Sequence, residues 1–244
     1  MSFSPAVCDL FNRWNHGDLL NNLEASYRRL IDRRKEAVAV ADQREPKKHT
    51  AANCLVLQQA LLHRAERLHA GAGTMLLENN IYGLALIVRG HYEATAVLGY
   101  VCNRLESLKA GYISFEDFAF NVAYELLGAK HPQFAKAPNP PNILTCLEKA
   151  DKYLDARFKE HGGVNTDMLL DCYNWLSDFV HPNFLSNCSA YAVDKANRRF
   201  VFRHGDDIQE SDFQLMVYLE ISAGIFVRLF NDCNHWMTEN GVIE

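Results

Sequence analysis

The stretch from Asn80 to Ser107, NIYGLALIVRGHYEATAVLGYVCNRLES, is apolar on every side when wound as a helix of ~3.6 residues per turn. Ile81, Leu84, Ala85, Val88, Tyr92, Ala96 and Gly99 fall on one side, and Ile87, Val97, Leu98, Val101 and Leu105 fall on the other. A helix without a polar face has to be wrapped by other elements, so the rest of the chain must provide its cover. Tyrosines apart, the ionisable side chains between Leu84 and Cys102 are Arg89, His91 and Glu93. A central helix keeps charges where they are paired or used. Arg89 and Glu93 stand four apart and share a face, Tyr100 lies seven beyond Glu93 on that side, and His91 points nearly the opposite way. A later segment, CYNWLSDFVHPNF from Cys172 to Phe184, repeats Tyr173, Ser177 and His181 every four residues. The two segments are expected to meet and to build one polar site from Arg89, Glu93, Tyr173, Ser177 and His181.

With 244 residues, 48% hydrophobic and 23% charged, the chain has the makeup of a soluble globular protein rather than a disordered or fibrous one. A formal charge of −5 excludes a generally basic nucleic-acid binder and leaves room for a local basic groove. The amino terminus lacks a basic start followed by an apolar core. No uncharged apolar run reaches the ~20 residues needed to span a bilayer, so no membrane is expected and the cytoplasm is the expected location. The seven cysteines are scattered singly with no C-x-x-C, which reads as reduced thiols in a core; neither a metal nor a cofactor is expected.

Along the chain, helical spacing predicts a short helix over residues 5–16 and a second one capped by Asp18. The run Arg28 to Lys35 reads as a solvated helix face, because a phosphate-binding surface must gather its charges on one side in three dimensions. DQREPKKHT, residues 42–50, reads as a loop, followed by a helix from Ala51 to His69 that Gly71 and Gly73 stop. Gly111 breaks the central helix. Ser114 then opens a capping-box helix to Leu127, and four prolines make residues 130–142 an extended connector. A helix over 143–159 is ended by Gly162 and Gly163, and Asn165 or Thr166 caps the next. His181, preceding Pro182, belongs at that helix's last turn. Residues 189–193 and 199–203 alternate in strand fashion around a polar turn and predict a β-hairpin, before a final helix over 211–237. The expected fold is a single mainly α domain over 1–244: a multi-helix bundle with a small hairpin before the last helix, in which the helices of residues 5–45 pack on a core of 51–237.

For chemistry, a histidine at a helix carboxyl end favours its protonated form, so His181 is placed as an acid/base group and Arg89 as an anion holder. The competing reading makes the same five residues a structural network, and it is the favoured one. VRGHYEA (Val88 to Ala94), together with the pattern Tyr173, Ser177, Val180, His181, Pro182, a hairpin and a long last helix, resembles uncharacterised bacterial helical proteins similar in layout to HEPN-like bundles of the abortive-infection type. The resemblance covers residues 51–237. It implies a homodimer acting as an interaction or RNA-binding module in stress or phage defence, or alternatively a metal-independent endoribonuclease using His181 and Arg89. Catalytic HEPN enzymes carry an arginine four to six residues ahead of the histidine on the same helix, and no arginine stands there before His181. A ferritin-like dimetal site is a further alternative through Glu66 with His69 and, more weakly, Asp232 with His235; the charged surroundings of Glu66 and His69 make an exposed helix face the expectation instead. Ser177 lacks a G-x-S-x-G elbow, which removes hydrolase chemistry of that type.

Overall fold

The fold is taken from a computed structural model that describes residues 3–39, 41–160, 167–202 and 208–239. Nine α-helices and one hairpin are present among these residues, in the mainly α bundle that the apolar patterning demands. The first three helices are α1 (Pro5–Arg13), α2 (Gly17–Ile31) and α3 (Pro46–Leu77). The central helix α4 (Ile81–Lys109) is followed by α5 (Phe115–Leu127), α6 (Ile143–Glu160), α7 (Met168–Val180) and α8 (Phe184–Cys188). Strands β1 (Tyr191–Asp194) and β2 (Arg199–Phe202) pair antiparallel, with Tyr191 opposite Phe202, and α9 (Phe213–Glu239) is the last element among the described residues.

The central helix is wrapped as its composition requires. From Gly90 to Cys102 every residue of α4 is buried except Glu93 and Val97, which are half-buried, and α3, α6, α7 and α9 supply the cover. Gly99 permits the closest of these approaches, since a Cβ there would sit 2.5 Å from the Ala150 Cβ on α6. The helices α1 and α2 pack on α3 and α9, and their Phe11, Leu23 and Leu30 join the same connected core as Leu84, Leu147 and Phe226. The segment 210–239 has the length and hydropathy of a membrane span, but 56% of its apolar window is buried inside the bundle, where it serves as a core helix.

Several boundaries differ from the expected ones. Helix α3 does not stop at Gly71 and Gly73. It runs through both, and Gly73 leaves the space into which the Phe3 ring packs, 2.5 Å from where a Cβ would lie. What ends α3 is Asn79 with φ 54°, whose left-handed turn lets Asn79 N and Asn80 N donate to the carbonyls of Leu76 and Met75. Asn80 then accepts from Gly83 N at 2.8 Å and caps α4. Pro46 takes the first helical position, so the loop after Asp42 is shorter than expected. Asp18 lies within the first turn of α2 rather than at its cap. The glycines and caps expected at 162–166 lie outside the described residues. The start of α7 is held instead from another helix: the Asp151 carboxylate on α6 accepts from Leu169 N and Leu170 N, both at 2.9 Å. The capping box at Ser114 and Asp117 and the left-handed Gly111 (φ 71°) are as expected.

Candidate functional site

Arg89 and Glu93 sit one turn apart on α4, and Tyr173 of α7 packs on their face. Arg89 Nη2 donates to Tyr173 Oη at 2.7 Å, and its guanidinium carbon lies 4.8 Å from the tyrosine ring centre. Arg89 Nε stands 3.4 Å from Glu93 Oε1, near enough for ionic attraction, yet this buried nitrogen makes no hydrogen bond of normal geometry. Arg64 of α3 approaches Glu93 from the other side at 3.5 Å. With the Arg89 and Glu93 side chains 20% and 30% exposed, the cluster is a partly desolvated tie joining three helices.

The other half of the expected constellation does not join it. Ser177 Oγ donates to the Tyr173 carbonyl at 2.7 Å, the local back-bond that helical serines commonly make. His181 is exposed, and its ring makes no hydrogen bond, ion pair or ring contact with any described residue. The helix ends one residue earlier, and His181 adopts φ −85°, ψ 143°, the extended conformation that a following proline enforces. The four-residue stripe therefore ends at Ser177. Arg89, Glu93 and Tyr173 come together, Ser177 is adjacent but engaged with its own helix, and His181 stands apart.

The helix face expected to be exposed around Glu66 is buried. Arg34 grips Glu66 with two hydrogen bonds, one of 2.7 Å from Nε to Oε2. His69 has no exposed surface and is stacked between Phe3 and Tyr27, with ring centres 5.8 and 5.5 Å away. The HRAERLH segment looks charged in sequence, but α2 folds over it and supplies the compensating arginine. His63 of the same segment is exposed. On the far side of α4, His91 is equally buried; its Nδ1 bonds Ser222 Oγ at 2.8 Å, and Thr95 Oγ1 lies 3.0 Å from the same hydroxyl. Burial pushes His69 down to about 4, opposed by the Leu23 carbonyl and the Glu24 carboxylate. Burial, reinforced by neighbouring His69, pushes His91 down to about 3. Both rings are neutral core residues at physiological pH. Asp232 is held by Tyr153 at 2.9 Å and His235 by Glu239 at 3.1 Å, and no three metal-ligating side chains converge among the described residues.

Two carboxyls are shifted the other way. Burial raises Glu125 to about 7, partly offset by the Cys146 thiol that donates to it at 3.3 Å. Burial also raises Asp151 to about 6, partly offset by the two N–H groups it caps. Neither stood out in the sequence, because an acid buried by contact with another helix leaves no local spacing signal. Searches against protein-family models, curated proteins and solved structures find no match to this chain.

Proposed function

We propose that this chain is a cytosolic, homodimeric HEPN-like bundle that works as an interaction or RNA-binding module and does not cleave RNA. The observation that carries the choice of binding over catalysis is the commitment of Arg89. Its guanidinium donates to Tyr173 and lies 3.4 Å from Glu93, while His181, outside that cluster, has no partner among the described residues. A general acid/base group has to lie within hydrogen-bond reach of the reacting atom while the anion holder grips the phosphate. That pairing is missing here. The role in stress or phage defence rests only on the resemblance of the Val88 to Ala94 and Tyr173 to Pro182 segments.

The test is incubation of the purified protein with cellular RNA, with and without EDTA, beside His181→Ala. The expected result is intact RNA in every lane, with RNA co-eluting with wild type and variant alike. RNA cut by the wild type and spared by a folded His181→Ala would overturn the reading in favour of an endoribonuclease.

A further inference from the structure

One cleft of the bundle has the chemistry of an anion site. Between the carboxyl end of α4 and the middle of α6 lies a cavity of about 420 Å³, within the ~300–1,000 Å³ range of small-molecule sites. Arg104 lines it from α4, and Lys149, Lys152 and Arg157 line it from α6. Glu106 is the one acid among its lining residues, and it is already engaged by Arg157 at 3.3 Å and Lys109 at 3.5 Å.

Arg104, Lys149 and Lys152 form no ion pair with a described residue. Arg104 leans on the Tyr100 ring at 5.3 Å and donates to the Asn103 amide oxygen at 3.1 Å, but it meets no carboxylate among the described residues, and its Nε is buried without a partner. Lys149 and Lys152 make no hydrogen bond or ion pair with a described residue, although Glu148 stands one turn ahead of Lys152. The pull of the α4 carboxyl terminus on cations amounts to about half a charge and acts within the last turn. Lys109 already meets it, which leaves Arg104 and the two lysines unexplained by helix electrostatics. A chain of net charge −5 that concentrates positive charge around one concave site favours an anion there.

We propose that this α4–α6 cleft binds the phosphate of a nucleotide, with Arg104, Lys149 and Lys152 as its ligands. A guanidinium offers a planar fork to two phosphate oxygens, while ammonium groups add point charge from the sides. Tyr112, 83% exposed and lining the same cleft, presents a ring face on which a base can stack. A free mononucleotide and the terminal nucleotide of an RNA strand share this chemistry. The inference rests on the RNA-binding reading only for the second source.

The test is titration calorimetry of the full-length protein with inorganic phosphate, with AMP, and with a short single-stranded RNA with or without a terminal phosphate. The expected result is AMP binding that weakens with added salt and falls at least about tenfold in Lys149→Ala/Lys152→Ala. Arg104→Lys, which keeps the charge and loses the fork, should fall between. Preference for the phosphorylated RNA would identify the strand terminus as the source; AMP binding without RNA binding would support the cleft and overturn the RNA reading. RNA bound equally by wild type and the double lysine variant, with AMP bound by neither, would overturn the cleft and leave the RNA reading standing. No heat with phosphate, AMP or RNA at millimolar concentration would overturn both.

Discussion

The two halves of α4 use charge in opposite ways. In the first, Arg89 and Glu93 are partly buried and answered by Tyr173 and Arg64, and the buried His91 bonds Ser222. At the other end, Arg104 and the facing lysines of α6 surround a cleft and meet no carboxylate among the described residues. Polar and charged groups answered from inside the protein specify the packing of helices, and they are already engaged when a ligand arrives. Cations left without partners on a concave surface add little to the fold and remain open to an anion. Changes in the first region should therefore alter stability, and changes in the second should alter binding.

The broadest effect on stability is expected in acid. Between the ordinary histidine value near 6.5 and the depressed values of about 4 for His69 and about 3 for His91, the unfolded chain takes up protons that the folded chain refuses. Stability contributed by the two rings is therefore lost as pH falls. Glu125 at about 7 and Asp151 at about 6 act oppositely: the folded chain holds protons that the unfolded chain has released, so falling pH favours the fold until ordinary carboxyls also protonate. From about pH 6.5 to 4.5 the two pairs offset each other. Below that Glu125 and then Asp151 lose their opposing effect while His69 begins to protonate in the folded chain near 4, so His91 carries most of the remaining loss, on the order of 1 kcal/mol per pH unit down to about pH 3. Urea titrations at stepped pH read this directly, and His91→Leu should remove most of the slope between about pH 4.5 and 3. Superimposable acid profiles for wild type and variant would remove the buried histidines as the cause.

An intermediate effect is expected from Arg89→Met, which keeps the aliphatic stem but deletes the bond to Tyr173 and leaves Glu93 with Arg64 as its cation among the described residues. A loss of about 1–2 kcal/mol is expected, seen as a lower urea midpoint at unchanged slope, with RNA retention unaltered. Loss of RNA binding in a folded Arg89→Met would break the division between the two halves, because it would make the tie a ligand.

Much of this architecture was legible in the sequence, because the period of apolar residues reports burial directly. The all-round apolar α4, the Ser114 capping box and the β1–β2 hairpin follow from patterns a few residues long. The pairing of Arg89 with Tyr173 was legible for the same reason, as two stripes on helices that had to touch. What failed depended on distant chain segments. Glu66 and His69 look solvated until α2 crosses them and brings Arg34, and Gly73 looks like a stop until Phe3 fills the space over it. His181 shows a local rule defeating a periodic one, since proline geometry ended the helix one residue before it. The cleft left a weak trace in Lys149 and Lys152, three apart on one face of α6, but its opposing Arg104 could be assigned only once Gly99 and Ala150 set how closely α4 and α6 approach.

The smallest stability effect, and the sharpest test of the comparison, belongs to those lysines. Lys152 is exposed and Lys149 half-buried, and neither has an ion pair with a described residue to lose. Lys149→Ala/Lys152→Ala should therefore change unfolding free energy by less than about 0.5 kcal/mol, as surface substitutions away from packed features usually do. Alanine also favours the helix by up to a few tenths of a kcal/mol per site, and relief of mutual repulsion acts in the same direction. The expected sign is thus neutral to slightly stabilising, by urea titration at low salt, with the gain shrinking as salt screens the repulsion. A destabilisation above 1 kcal/mol would mean that these ammonium groups tie α6 into the bundle. The two ends of α4 would then differ only in exposure, and the contrast between occupied and open charge would fall.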